Sequence, residues 1–116
     1  MDEITIWHNP RCSKSREAMG ILEENSIDAK VVKYLESTPD YDQIKSVLKM
    51  LNITPRELMR TKEDIYKELK LKDELNDDIL IRAMANNPIL IERPVIIKGN
   101  RAIIGRPTDK IAEFLK

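Results

Sequence analysis

One cysteine occurs in the 116 residues, and its surroundings suit reactivity: His8-Asn9-Pro10-Arg11-Cys12-Ser13-Lys14-Ser15-Arg16. A free thiol near pKa 8.5 is only a few per cent thiolate at neutral pH. Lowering it by ~2 units, about 2.7 kcal/mol, makes the thiolate nucleophile the main form. Arg11, Lys14 and Arg16 flank Cys12 before the first acid, Glu17, and a helix beginning at Ser13 adds the positive end of its dipole. Ser15, one turn on in a Cys-x-x-Ser spacing, is placed to offer its hydroxyl to the sulfur. His8 is placed to stabilise a thiolate or relay a proton. A lone cysteine is otherwise a small buried hydrophobe, but Cys12 stands among polar residues rather than on an apolar stripe. For His8, an ordinary partly buried histidine and a catalytic one both remain open.

Three arginines complete the set. Arg93-Pro94 and Gly105-Arg106-Pro107 flank two short apolar runs. If these runs form a hairpin antiparallel to the first strand, both arginines fall at the Cys12 edge of the sheet. Guanidinium forks there suit an oxyanion held for nucleophilic attack. Arg60, ending Arg56-Glu57-Leu58-Met59-Arg60, is a candidate third clamp. An isolated arginine in a chain with 34% charged residues would ordinarily be a surface ion pair, so the case rests on convergence.

The elements that must position these groups follow from periodicity. Ile4-Thr5-Ile6-Trp7 alternates and is β-branched, a strand ended by Asn9-Pro10. A helix over about Ser13 to Glu24 leads to a second strand, Lys30 to Tyr34, which a helical crossover makes parallel to the first. Tyr41, Ile44, Val47, Leu48 and Leu51 share a helical face, and Thr54-Pro55-Arg56-Glu57 combines a capping box with proline at the first helical position. Further helical turns are expected over Asp64 to Leu69 and Asp77 to Ala85, the string around Lys62 to Glu68 being read as a solvated helix face. Gly99-Asn100 turns Pro94 to Ile97 into Ala102 to Ile104, and Thr108 is expected to cap a last helix carrying Ile111, Phe114 and Leu115. Gly20, inside the first helix, is expected to permit close packing on the sheet. The order is βαβ, a helical insert, then ββα: an α/β fold with one mixed four-stranded sheet and flanking helices, the thioredoxin-like plan. No linker or repeat divides it, so residues 1–116 are expected to form a single domain.

Composition excludes several classes. Twenty basic and twenty acidic side chains cancel, leaving no overall field for nucleic acid or an anionic membrane. No run approaches the about 20 apolar residues that span a bilayer, and Met1-Asp2-Glu3 lacks the features of a secretory signal; a cytoplasmic location is expected. One cysteine and one histidine provide neither an internal disulfide nor a Cys/His zinc set. No Gly-rich phosphate loop or aromatic stacking platform is present.

Taken together, the His-Asn-Pro-x-Cys-x-x-Ser-Arg string from His8 to Arg16 resembles the signature of glutaredoxin-dependent arsenate reductases. Tyr34-Leu35-Glu36, Arg56 to Arg60, Asn87 to Pro94 and Gly105-Arg106-Pro107 fall where that family has similar segments, so the likeness covers nearly the whole chain. It implies Cys12 as nucleophile, Arg60, Arg93 and Arg106 as oxyanion ligands, and a cis bond at Pro94. It also implies arsenate as substrate, glutathione as co-substrate with no bound cofactor, and glutaredoxin as the partner that resolves a mixed disulfide on Cys12. The single thiol agrees, since electrons must come from outside the chain. Relatives of this kind include longer enzymes, and Arg11, Ser13 and Lys14 depart from the best-known loop.

Two further functions share these features. A redox-responsive regulator of the Spx type would contact RNA polymerase, but commonly has Cys-x-x-Cys where this chain has Ser15. A general glutathione-linked thiol oxidoreductase would use Cys12 without arsenic. Neutral charge and size are compatible with a monomer.

Overall fold

The structure is a computed structural model that describes residues 3–106 and 109–115. Pro107 and the expected cap Thr108 lie outside the described residues. Contacts group the chain into two compact units, Met1–Ser37 with Arg93–Lys116, and Thr38–Glu92.

The first unit contains the sheet. Strands β1 (Ile4–His8), β2 (Lys30–Lys33), β3 (Val95–Lys98) and β4 (Arg101–Ile104) lie in the order β2-β1-β3-β4. β1 pairs parallel to β2 and antiparallel to β3, which pairs antiparallel to β4. The expected mixed sheet is thus observed in full, with Gly99 at φ 60° turning the hairpin, a conformation that glycine adopts without a Cβ clash. Strand alternation puts Ile4, Ile6 and His8 on one face and Thr5 and Trp7 on the other. Helices α1 (Ser13–Glu24) and α5 (Asp109–Phe114) cover the first face. There Ile4, Ile6, Ala18, Leu22, Ile96 and Ile111 form the core. Complete burial of each large aliphatic side chain contributes about 1.5–3 kcal/mol. Trp7, Val95 and Ala102 are buried on the opposite face.

The second unit is helical: α2 (Tyr41–Leu51), α3 (Asp64–Glu68) and α4 (Asp77–Asn86) alternate with 3₁₀ turns at Pro55–Leu58, Leu71–Asp73 and Pro88–Leu90. α2 begins at a capping box, Asp40 accepting from the Gln43 amide while the Gln43 side chain accepts from the Asp40 amide. The Thr54–Glu57 box expected from sequence is also present, but the segment it opens is a single 3₁₀ turn. Its Arg56 bonds Tyr66 Oη and donates to the Leu71 carbonyl at 2.9 Å and the Glu74 carbonyl at 2.5 Å. One guanidinium thereby satisfies backbone acceptors that an irregular segment cannot satisfy with a ladder. The string around Lys62–Glu68 is a solvated face only in part, since Tyr66 is buried. No described helix is long and apolar enough to cross a membrane.

Gly20 differs from expectation. A Cβ built there meets nothing within 4 Å, so close packing is not its reason. At Gly105 a Cβ would lie 3.0 Å from Pro94 Cγ and 3.1 Å from Ile111 Cδ1, tighter than ordinary contact, so close packing is found here rather than at Gly20. Gly20→Ala should therefore stabilise the protein by up to about 1 kcal/mol, the helix-propensity difference, as measured by urea denaturation. A loss of stability would show that the site is sterically closed.

Candidate active site

The Cys12 loop is built from the end of β1 and the start of α1. The Cys12 amide donates to the Asn9 carbonyl at 3.0 Å, and Asn9 Oδ1 accepts from the Arg11 amide at 3.0 Å. These bonds turn the chain through Asn9-Pro10, leaving Cys12 as the N-cap of α1 with extended dihedrals, φ −96° and ψ 124°. No Asp or Glu occupies the first turn of α1, so no local carboxylate opposes the dipole there.

Ser15 and His8 join strand to helix. Ser15 is fully buried; its Oγ lies 2.7 Å from His8 Nδ1 and accepts from the Asn9 amide at 3.0 Å. The assignment that uses every atom has the Ser15 hydroxyl donating to Nδ1 of a neutral imidazole. Burial and then the charge of Lys33 push His8 below its ordinary pKa, while hydrogen bonding to Ser15 acts in the opposite direction. Lys33 is there because the parallel register sets it beside His8. The Ser15 hydroxyl, expected to face the sulfur, is engaged by His8 and Asn9 instead.

Cys12 is 8% exposed. Burial alone would raise its pKa, and it is the largest single influence. The Ser15 amide, the bond and charge of Arg93, and the Lys14 amide together outweigh it, so the thiol lies below its ordinary value. Neither amide closes a formed capping bond to the sulfur, so these donors favour the thiolate chiefly through their direction and partial charge. Arg106 adds a contact of its own, Nη2 donating to Cys12 Sγ at 3.3 Å.

The two guanidiniums are tied through backbone. Arg106 Nε donates to the Arg93 carbonyl at 2.6 Å, and the Gly105 amide donates to the Pro94 carbonyl at 2.8 Å. The Arg93-Pro94 peptide is cis, as the resemblance implies. Arg106 thus serves both the sulfur and the segment bearing Arg93.

Of the seven residues singled out from sequence, His8, Cys12, Ser15, Arg93, Pro94 and Arg106 belong to the first unit. All six are joined by the contacts just described. Arg60 belongs to the second unit, where its Nη1 lies 2.8 Å from Glu63 Oε1 and its amide donates to the Leu90 carbonyl at 2.7 Å; its role as an anion ligand rests on the resemblance alone. Sequence reasoning missed Asn9 as the organiser of the loop, although Asn-Pro is a turn signal. It also missed Lys33, which becomes visible once β1 and β2 are paired in register. Among the described residues no group of three or more His, Cys, Asp or Glu side chains could hold a metal ion.

Two pH dependences follow. Alkylation of Cys12 by iodoacetamide should reach half its maximal rate at a lower pH than a free cysteine, near 8.5, and Arg93→Ala should move that midpoint upward. A midpoint matching the free amino acid would refute the electrostatic account. For His8, the unfolded state, titrating near 6.5, binds the proton more readily than the fold does. Its stabilising contribution is therefore complete above about pH 6.5 and is lost as pH falls toward the lower folded value. Wild type should lose more melting temperature between pH 7.5 and pH 5 than His8→Gln; equal losses would contradict the assignment.

Residues 7–114 match the profile of the ArsC family. An arsenate reductase of Neisseria meningitidis (strain Z2491) is 47% identical, the alignment covering 99% of this chain and 100% of that protein. One from Haemophilus influenzae is 40% identical over 97% of this chain and 98% of its own. The solved structure of an arsenate reductase from Vibrio cholerae superposes with a TM-score of 0.92 at 43% identity, covering 97% of each chain. The thioredoxin-like architecture and the likeness along nearly all of the sequence lead to one conclusion: this chain belongs to the ArsC family.

Proposed function

We propose that the protein is an arsenate reductase that draws its electrons from glutathione and glutaredoxin in the cytoplasm. The observation that carries this reading is the sulfur of Cys12, held 3.3 Å from Arg106 Nη2 and acidified by Arg93. A thiolate facing fixed guanidiniums can both attract a tetrahedral oxyanion and attack it. Relatives named arsenate reductases, covering the full length at 40–47% identity, point to the same oxyanion.

In the cycle, Cys12 thiolate attacks arsenic(V) and an arsenate oxygen leaves as water after taking up protons, forming a sulfur–arsenic bond. Arg93 and Arg106 hold the remaining oxygens and offset their charge. A glutathione thiolate then attacks the Cys12 sulfur; the sulfur–arsenic bond breaks with its electron pair going to arsenic, which departs as arsenite, arsenic(III). Cys12 is left in a mixed disulfide with glutathione. Glutaredoxin, recharged by a second glutathione, transfers that glutathionyl group away and restores the thiolate. Two thiols are oxidised for each arsenate reduced. His8, neutral through burial and Lys33, holds Ser15 in place and with it the amide that faces the sulfur. The chain works as a monomer, because the groups given these roles need no second copy. On the resemblance alone, Arg60 is a further oxyanion ligand.

The test is NADPH consumption with arsenate, glutathione, glutaredoxin and glutathione reductase. Wild type should turn over and Cys12→Ser should not. Arg93→Ala and Arg106→Ala should each lower kcat/KM for arsenate by about 10²-fold or more with the fold retained, as expected for loss of a charged donor at a developing oxyanion, and Arg60→Ala should raise KM. Wild-type turnover no faster than Cys12→Ser would refute arsenate reduction. Preserved activity in both arginine variants would refute the guanidinium assignment.

A further inference from the structure

Beyond the carboxyl ends of β1 and β2 lies a cleft of about 210 Å³ lined by His8, Asn9, Pro10, Arg11, Lys33, Leu35 and Glu36. Ligands of open α/β sheets bind at this end of the strands, yet none of the chemistry above uses the cleft itself. Two turns build it. The Asn9-Pro10 loop bears Arg11, directly adjacent to Cys12, and amides of Glu36 and Ser37 donate to the Lys33 carbonyl at 2.9 and 2.8 Å, folding Lys33, Leu35 and Glu36 onto the other wall. Among the described residues neither Lys33 nor Arg11 is in a salt bridge.

Size and charge together select the occupant. At about 30 Å³ per water the cleft has room for about seven waters; this is less than the roughly 300–1,000 Å³ of sites that hold a whole small ligand. It fits one end of a larger molecule whose reacting atom lies at Cys12. Two cations and one carboxylate beside half-exposed Leu35 suit a group that carries a carboxylate, an ammonium and a short aliphatic stem. Glutathione has one such end, the α-carboxylate and α-ammonium of its glutamyl residue, whereas its glycine end has only a carboxylate. We propose that this cleft receives the zwitterionic glutamyl end of glutathione, Lys33 and Arg11 pairing with its carboxylate and Glu36 with its ammonium, so that the glutathione sulfur is presented to Cys12. The proposal rests on the glutathione-dependent reading and adds the residues that would make this thiol preferred over others.

The test isolates the thiol step from arsenate. Cys12 thiolate attacks oxidised glutathione, one sulfur–sulfur bond forms as another breaks, and the departing glutathione thiolate takes the electron pair; mass spectrometry follows the mixed disulfide. Lys33→Glu should lower the rate with oxidised glutathione about tenfold or more relative to the rate of the same variant with uncharged bis(2-hydroxyethyl) disulfide, a ratio that removes any change Lys33 makes at Cys12 through His8. Lys30→Glu, with the same charge change on the same strand outside the cleft, should behave as wild type. The disulfide of γ-glutamylcysteine, which keeps the zwitterionic end and lacks glycine, should discriminate as glutathione does. The same glutathione-to-uncharged ratio in wild type and Lys33→Glu would overturn the subsite, as would a Lys30→Glu defect of the same size or a γ-glutamylcysteine disulfide that reacts like the uncharged one. These rates require no arsenate turnover, so a failed coupled assay and a failed subsite are separate results.

Discussion

The chemistry of this protein depends on a contest at one sulfur atom. Burial raises the Cys12 pKa and is the strongest single influence on it; without opposition the thiol would be inert at neutral pH. The opposition comes from several donors, none of which suffices: amides at the first turn of α1, the Arg93 guanidinium, and Arg106 at 3.3 Å. Each is supplied by backbone geometry that other residues maintain. Ser15 secures the loop to β1 through His8 and Asn9, and Arg106 secures the Arg93 carbonyl while touching the sulfur. Removing any of these supports shifts the balance toward burial.

The central position of β1 explains how one short loop gathers so much. His8 ends that strand, the parallel neighbour brings Lys33 beside it, and the antiparallel neighbour begins just after Arg93-Pro94. Gly105 then follows the end of β4 and packs so closely against Pro94 and Ile111 that a Cβ would require those side chains to give by a few tenths of an ångström. The site is therefore an outcome of register. A slip of one residue in either pairing would turn His8 or its partners to the opposite face.

Much of this was legible in the sequence because the relevant signals are local. The Cys-x-x-Ser loop, the Gly99-Asn100 turn and the alternation in β1 each depend on adjacent residues, and the first helix begins and ends at Ser13 and Glu24 as its pattern predicts. What escaped involves backbone acceptors, which have no identity in a sequence. Nothing in the letters shows that Arg106 donates to the Arg93 carbonyl, or that Arg56 bonds the carbonyls of Leu71 and Glu74. Gly20 illustrates the converse: its type invited a packing explanation, and the space around it is empty. Arg60 lies in the helical unit with its guanidinium at Glu63, so its place among the anion ligands rests on sequence likeness.

The sole tryptophan of the chain has a spectroscopic consequence. Trp7 is buried in β1, paired with Val32 on one side and Val95 on the other, one residue before His8. Its indole emission is therefore an intrinsic probe of the strand that carries the reactive loop, whereas far-ultraviolet ellipticity is weighted toward helices, most of which lie in the segment Thr38–Glu92. Coincident denaturation curves from the two signals would describe one cooperative transition, and divergent curves would resolve melting of the helical segment from that of the sheet without any engineered fluorophore.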